Sequence, residues 1–348
     1  MGAYYAHAGA YGLTLHVNEF NYHPPFNYAS GDWVELHNRG SQPVELSGWQ
    51  IAQGLYAFVF QENTTVAPGG FLVVCQDTVL FKTFHPDAGA LAGNFHFDLN
   101  NKAGKIALYD PAGRLVHSVR YADYQPWPPL ADGLGATVEL EQNRDGNLPT
   151  DWRESHVLLG SPGEPNSLPP DVSGLFVNEI LASNTHTLAD EQGEYDDWFE
   201  LYNASNDSLN VGGLCFTDDE DEPCRWQLPL HFPEKTTLPP HGFLLLWADG
   251  QPGQGLLHAD FKLGAGGEMA AIFQREGAGY AERERLAFGQ QSPDISWGRY
   301  PDGSAETRFM HPTPAATNVA SGTCFRILFR SSCSSRPERW KSPIAWHC

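Results

Sequence analysis

Short apolar runs separated by turn-forming residues make up the hydrophobic pattern of this chain. The runs are rich in β-branched and aromatic residues and are bounded by Gly, Pro, Asn or Asp, which is typical of strands joined by turns. No segment keeps a 3.6-residue apolar period over a dozen positions, so long amphipathic helices are not predicted. The turn signal DPAG at 110–113 predicts a hairpin between the runs on either side of it. The predicted strands are residues 13–20, 33–38, 71–75, 105–109 and 115–121, with counterparts at 269–273 and around 286–288.

The chain also repeats itself, because four blocks of its first half return in the same order in the second half. The pairs are 17–20 (VNEF) with 177–180 (VNEI), 32–38 (DWVELHN) with 197–203 (DWFELYN), 46–49 (LSGW) with 211–214 (VGGL), and 66–74 (VAPGGFLVV) with 238–246 (LPPHGFLLL). Each copy ends in a segment rich in Pro and Asn or Gly, at 160–166 and 312–318. Such a repeat of short strands and turns predicts an all-β fold of two tandem immunoglobulin-like β-sandwiches.

The repeat sets the predicted domain boundaries. An N-terminal extension at 1–12 precedes a first sandwich at 13–166, a linker at 167–174, a second sandwich at 175–318 and a tail at 319–348. Pro169 and Pro170 are expected to stiffen the linker. The tail differs in kind, because it is basic and carries three of the six cysteines, Cys324, Cys333 and Cys348. It is either a sorting tail or a cloning or frame-shift artefact, and it is left out of the fold prediction.

In their order, these blocks resemble the lamin tail domain, an immunoglobulin-like sandwich found in nuclear lamins and in bacterial exoproteins. The bacterial subtype has a similar VNEI-type first strand, a DWVELYN-type second strand, an LSGW turn, a PGGFLVV strand and a closing segment like PTPGAAN. The second copy adds GRYPDG at 298–303 and MHPTP at 310–314, which are also similar to that subtype. The resemblance implies a non-catalytic module of an exported or cell-surface bacterial protein.

Composition and charge exclude several function classes. The chain of 348 residues is 41% hydrophobic and 18% charged, which suits packed domains rather than a disordered chain. A net charge of −21 argues against binding to nucleic acid or anionic lipid. No apolar run is long enough for a transmembrane helix, so membrane insertion is not predicted. The first 15 residues do not form an intact signal peptide, so the chain is either cytoplasmic or has lost an export signal.

Two kinds of acidic cluster are candidates for chemistry. The pairs Asp32 with Glu35 and Asp197 with Glu200 have the residue types of a catalytic dyad. Side chains three apart on a strand point to opposite faces, however, which favours a structural role in hydrogen bonding. The run of five acids at 218–222 is a candidate calcium site together with the acidic loop at 190–197, because Ca²⁺ takes oxygen ligands from flexible loops. The alternative is a solvated loop without an ion. The candidate ligands are Asp218, Asp219, Asp221 and Asp196.

Cysteines and aromatic residues supply the remaining candidates. Cys215 and Cys224 flank the acidic run at a spacing that permits a disulfide, which would imply an oxidising compartment. Cys75 lies in an apolar strand and is expected to be a buried free thiol. Tyr124 and Trp127 form a candidate ligand platform for sugars or proline-rich peptides, the alternative being that they pack a loop onto the sandwich.

The sequence therefore predicts a non-enzymatic pair of modules that serves adhesion or protein–protein interaction, without a cofactor. The partner, a protein or a surface polymer, is not identified by the sequence. The alternative is a calcium- or carbohydrate-binding accessory module attached to a secreted enzyme. No nucleophile elbow, phosphate-binding loop or metalloprotease motif is present to support a hydrolase.

Overall fold

The computed structural model describes residues 14–277 and 279–320, and its first half contains twelve strands and one short helix. The predicted extension at 1–12 and the tail cysteines lie outside the described residues. Helix α1 spans Thr78–Phe84, and 3₁₀ turns span Pro129–Ala131 and Pro149–Asp151. The strands are β1 (Leu15–Asn21), β2 (Trp33–Asn38), β3 (Val44–Glu45), β4 (Gln50–Gln53), β5 (Tyr56–Val59), β6 (Thr65–Val66), β7 (Phe71–Cys75), β8 (Leu91–Ala92), β9 (Ala103–Tyr109), β10 (Leu115–Ala122), β11 (Val138–Leu140) and β12 (Trp152–Glu154).

The second half continues the same pattern of short strands, with one helical turn, α2 (Pro233–Thr236). The strands are β13 (Leu175–Leu181), β14 (Trp198–Asn203), β15 (Leu209–Asn210), β16 (Cys215–Thr217), β17 (Trp226–Gln227), β18 (Thr237–Leu238), β19 (Phe243–Trp247), β20 (Met269–Glu276), β21 (Gly279–Ala287), β22 (Ser296–Arg299) and β23 (Thr307–Met310).

In the first half, a six-stranded and a four-stranded sheet enclose a common core. The strand orders are β12-β11-β1-β2-β7-β8 and β10-β9-β4-β5, and β3 pairs separately with β6. Val17 and Leu36 of the larger sheet and Ile106 of the smaller one belong to the same buried apolar cluster. The outer face of the larger sheet is covered by α1, where Phe81 packs on Trp33. The arrangement is a β-sandwich, as the strand pattern predicts.

In the second half, the sheets β19-β14-β13-β22-β23 and β17-β16-β20-β21 enclose another core. Val177 and Leu201 of the first sheet share a buried cluster with Phe216 and Ile272 of the second. Within the described residues, no sheet takes strands from both halves of the chain.

The repeated sequence blocks form the same local structure, down to an irregularity in strand pairing. In β1, the register against β2 shifts between Val17 and Glu19, which leaves Asn18 as an unpaired bulge residue. In β13, the register against β14 shifts between Val177 and Glu179 in the same way. A β-bulge re-aims the side chains next to it. Both halves therefore present the Asn-Glu pair of their first strand in the same setting.

Strands at 33–38 and 71–75 are confirmed residue for residue by β2 and β7. Helix α1 is not predicted by the sequence, since seven residues are too few to display a helical apolar period. Its N-terminus is capped by Asp77, whose carboxylate accepts from the backbone N–H groups of Val79 and Leu80 at 2.8 and 3.0 Å.

The two halves contact each other through side chains and backbone groups; the backbone N–H of Leu230, for example, donates to the carbonyl of Leu134 at 2.9 Å. Leu130 and Leu230 belong to one buried apolar cluster, although they come from different halves. Arg275 donates to Glu154 at 2.7 Å in an ion pair that is mostly shielded from solvent. The contact combines apolar packing with one buried charge pair.

Candidate functional site

Two buried carboxyls of the first sandwich hold the chain segment that follows its last strand. We call residues 160–166 the first closing segment. Glu19 accepts a hydrogen bond of 3.1 Å from the backbone N–H of Ser161. Glu35 accepts one of 2.6 Å from the backbone N–H of Gly163. Both glutamates are fully buried, so these backbone donors take the place that water would occupy at the surface.

The second half repeats this arrangement with residues 312–318, which we call the second closing segment. Glu179 accepts a hydrogen bond of 3.1 Å from the backbone N–H of Thr313, and the hydroxyl of Thr313 donates to its other oxygen at 2.9 Å. Glu200 accepts from the backbone N–H of Ala315. In each half, a glutamate from each of the first two long strands therefore fastens the closing segment to the sheet.

An asparagine at the end of each closing segment completes the attachment. Asn166 donates to the backbone carbonyl of Leu140 at 2.8 Å, and Asn318 donates to that of Arg299 at 2.7 Å. The bulge residue Asn18 donates to Asn166 at 2.6 Å. The bulge of the first strand is thus used to reach the closing segment.

Burial changes the acidity of these carboxyls. It raises the pKa of Glu35 to about 8 and that of Glu200 to about 9, and it raises the pKa of Glu19 well above its usual range. Hydrogen bonds from Gly163 and Ala315 oppose the rise without cancelling it. Because the neutral forms of Glu35 and Glu200 prevail near pH 7, these two glutamates act as hydrogen-bonded structural groups inside the fold.

The two acids of each suspected pair accept hydrogen bonds from different parts of the chain. Asp32 accepts a hydrogen bond of 2.6 Å from the backbone N–H of Leu99, whereas Glu35 bonds to the first closing segment. Asp197 accepts one of 3.1 Å from the backbone N–H of Asn184. Burial raises the pKa of Asp32 to about 7 and that of Asp197 to about 6. The two members of each pair therefore hold different segments of the chain.

The structure places Cys215 and Cys224 in a disulfide, with their Cα atoms 4.8 Å apart. Cys215 lies on β16 and is fully buried, so the bridge anchors the loop at 218–222 to the edge of the core. Cys75 is a buried free thiol on β7, and burial raises its pKa to about 11. A thiol with so high a pKa is mostly protonated and unreactive at neutral pH.

Arginines from neighbouring strands and loops offset part of the charge of the acidic loop. Arg225 contacts Asp218 at 2.6 Å, and Arg285 contacts Glu220 at 2.9 Å. The sequence pattern of the loop does not reveal Arg285 as a partner, because Arg285 is 65 residues away from Glu220.

The four candidate calcium ligands are not brought together. Among the described residues, the groups of His, Cys, Asp and Glu side chains with ligand atoms within 4.8 Å of one another do not include Asp218, Asp219 or Asp221. Asp196 belongs instead to such a group with Asp190 and Glu194. The acidic loop at 190–197 is therefore the place where carboxylates converge.

The two aromatic residues of the suspected platform differ in exposure. Tyr124 is 68% exposed, whereas Trp127 is 6% exposed and lies in the core of the first sandwich. The ring of Trp127 packs against that of Trp152 with centroids 6.4 Å apart. Trp127 therefore serves packing, and Tyr124 alone faces solvent.

A more exposed apolar surface lies on the hairpin of β4 and β5. Within residues 14–277 and 279–320, strand β5 is the edge of its sheet, because it pairs there with β4 alone. Leu55, Tyr56 and Val59 are all more than half exposed on this hairpin. An uncovered apolar edge strand offers both backbone hydrogen-bonding groups and side chains to another chain.

The fold and these sites define a class: an all-β sandwich fold in which buried carboxyls of the first two long strands bond to backbone groups. Residues 10–123 match the family model of the Lamin Tail Domain. No curated protein sequence matches the chain significantly. The chain is also similar to a solved structure of a DUF4876 family protein from Bacteroides thetaiotaomicron. The matched region covers 45% of this chain and 74% of that protein, with 10% sequence identity and a TM-score of 0.32. Such a score is too low to support an argument.

The helices of the described residues are all too short and too polar to cross a membrane.

Proposed function

We propose that this protein is a pair of lamin-tail-type β-sandwich modules that serve protein–protein interaction or adhesion rather than catalysis. The modules are 13–166 and 175–318, joined by the linker 167–174. The repeated closing-segment contacts support this division, because each half fastens its own C-terminal segment with its own two glutamates.

The single observation that carries an interaction role is the exposed apolar edge strand β5. Tyr56 is 65% exposed and Val59 is 52% exposed, on a strand that pairs on one side only among the described strands. A partner that adds a strand to this edge would gain main-chain hydrogen bonds and contacts with these side chains. The partner class that this surface fits is a protein with an extended segment or an edge strand of its own.

The location that fits the proposal is outside the cell or on its surface. The disulfide between Cys215 and Cys224 supports it, since disulfides persist in oxidising compartments.

Photo-crosslinking tests the interaction role. A crosslinking amino acid at Tyr56 should capture a protein partner from the source cell's surface fraction, and Val59→Lys should abolish the capture while leaving the melting temperature unchanged. The matched control carries the crosslinker at Val79, which is 81% exposed but lies on α1. Equal capture from both positions, or capture that survives Val59→Lys, would contradict the proposal.

A second candidate function is a cation-binding accessory module. The observation that favours it is the convergence of Asp190, Glu194 and Asp196. A calcium titration followed by thermal unfolding separates the two candidates, since an ion bound to the native state must raise its stability.

A further inference from the structure

His258 lies in the second half of the chain, beside the acidic loop at 190–197, and belongs to none of the repeated sequence blocks. His258 is 2% exposed. The backbone on either side of it bonds to the end of β19, where the N–H of Trp247 donates to Leu257 and the N–H of Ala259 donates to Trp247, both at 2.8 Å. The position of the imidazole is therefore fixed by main-chain contacts.

A buried carboxylate fixes the orientation of the ring. Asp249 Oδ2 lies 2.5 Å from His258 Nδ1, and the side chain of Asp249 is fully buried. Asp249 is itself held by the turn that follows β19, where its Oδ1 accepts from the backbone N–H of Gln251 at 2.8 Å. With Nδ1–H donating to the carboxylate of Asp249, the neutral form of the imidazole carries its lone pair on Nε2.

This lone pair faces further acceptors. His258 Nε2 lies 3.3 Å from Glu191 Oε2, and ligand atoms of His258, Glu191 and Asp190 lie within 4.8 Å of one another. Two acceptors at this distance require a shared proton or a cation between them. Two ligands of a tetrahedral zinc ion, each at 2.0–2.1 Å, lie about 3.3 Å apart, which is the separation that the structure shows.

The surrounding charge favours a cation over a single proton. Next to the group formed with His258, ligand atoms of Asp190, Glu194 and Asp196 also lie within 4.8 Å of one another, so several carboxylates converge at this loop. One oxygen each of Asp190 and Asp196 is buried without a hydrogen-bond partner.

We propose that His258, Glu191 and Asp190 form a binding site for a divalent first-row transition metal, for which Zn²⁺ is the probe. His258 supplies Nε2, the two acids supply carboxylate oxygens, and Asp249 acts as a positioning residue that holds the imidazole tautomer. A carboxylate behind a metal-bound histidine is the usual supporting arrangement for such ligands. The mixed nitrogen and oxygen donors suit zinc better than calcium, which takes oxygen ligands. The site does not depend on the proposed interaction role, because it lies in the other half of the chain from β5.

Calorimetric titration of the chelator-treated full chain with ZnCl₂ tests the site. The expected result is a binding event of one Zn²⁺ that raises the melting temperature and is lost in His258→Gln. Asp249→Asn should weaken the affinity about 10–100-fold, as is common for residues behind a metal ligand. Co²⁺ in place of Zn²⁺ should give visible absorption bands in the native chain and lose them in His258→Gln. The matched control is His96→Gln, an exposed histidine of the first half, which should bind as the native chain does.

If the variants at the buried residues His258 and Asp249 fail to fold, Glu191→Gln tests the site instead. The side chain of Glu191 is 74% exposed, so its replacement leaves the core intact. It should weaken Zn²⁺ binding without lowering the melting temperature of the metal-free chain. The proposal is overturned if the native chain binds no Zn²⁺, if Glu191→Gln binds it as tightly as the native chain does, or if only Ca²⁺ binds, in a manner that Asp196→Asn removes. A histidine that merely shares a proton with the acids would give the first of these outcomes.

Loss of Zn²⁺ binding in these variants should leave crosslinking at Tyr56 unchanged, so failure of this site and failure of the interaction role are separable.

Discussion

The carboxyl of Glu35 accepts a hydrogen bond of 2.6 Å from the backbone N–H of Gly163, which lies 128 residues further along the chain. The corresponding pair in the second half is Glu200 with Ala315, at a sequence separation of 115 residues. The contact joins the second strand of each sandwich to its closing segment. It explains why an acidic residue lies at a fully buried position of the second long strand in each half.

The first prediction concerns the loss of this contact. Glu35→Ala should lower the free energy of unfolding of the first half by about 1–3 kcal/mol, because it leaves the half-buried backbone N–H of Gly163 without its acceptor. Glu35→Gln keeps an acceptor of the same shape and should cost less. Urea unfolding followed by tryptophan fluorescence measures both. Glu62→Ala is the control, since Glu62 is exposed. A cost for Glu35→Ala no greater than for the control would mean that the closing segment is held by other contacts.

The second prediction is a fall in stability as the pH rises. Below about pH 4.5, Glu35 and Glu200 are protonated in both the folded and the unfolded chain, and their contribution is fully present. As the pH rises further, the unfolded chain ionises first, because burial raises the pKa values of the folded chain to about 8 and about 9. The free energy of unfolding should therefore decrease between pH 5 and pH 9.

Replacing both glutamates with glutamine isolates this effect from the general repulsion within an acidic chain. The double variant Glu35→Gln with Glu200→Gln should show a smaller decrease than the native chain, as measured by urea midpoints at pH 5, 7 and 9. Glu62→Gln serves as the control and should keep the native slope. Parallel slopes for the double variant and the native chain would contradict the raised pKa values.

The sequence predicts the strands well but the contacts between them poorly. Strands β2 and β7 can be read from short runs of β-branched and aromatic residues between turn signals, because a strand is specified locally. The bulge at Asn18 cannot be read in this way, since it depends on the register against a neighbouring strand. The partners of Glu35 and Glu220 are likewise set by the folded topology. The only local sign of these contacts is the composition of the closing segments, whose asparagines and small residues can approach a buried acceptor.

His258 illustrates the same limit within the second half. It is one of 14 scattered histidines, and its spacing to Asp249 and Glu191 matches no metal-binding motif. The turn after β19 places it beside an acidic loop more than 60 residues earlier in the chain. Only the fold brings these side chains to one place.

The third prediction concerns the contact between the two halves. Arg275→Ala should lower the free energy of unfolding by about 3–5 kcal/mol, because it leaves the buried carboxylate of Glu154 without its cation. Adding Glu154→Gln should restore part of this loss. A double-mutant cycle from urea unfolding measures the coupling, with Arg114→Ala as the control, since the side chain of Arg114 is 71% exposed. Additive losses would show that the pair contributes nothing to the contact.

The last prediction concerns the disulfide and the acidic loop that it closes. Reduction, or the double variant Cys215→Ala with Cys224→Ala, should lower the free energy of unfolding of the second half by about 2–3 kcal/mol, because the bridge restricts a short loop in the unfolded chain. Arg225 and Arg285 offset part of the charge of the loop, so we expect that no ion is required there. The loss on reduction should be the same with and without chelator, and Asp219→Asn should leave any sensitivity to chelator unchanged. Thermal unfolding of the native chain and of both variants, each with reductant or chelator, measures these effects. A chelator effect that Asp219→Asn removes, together with no effect of reductant, would show that a cation rather than the disulfide holds the loop.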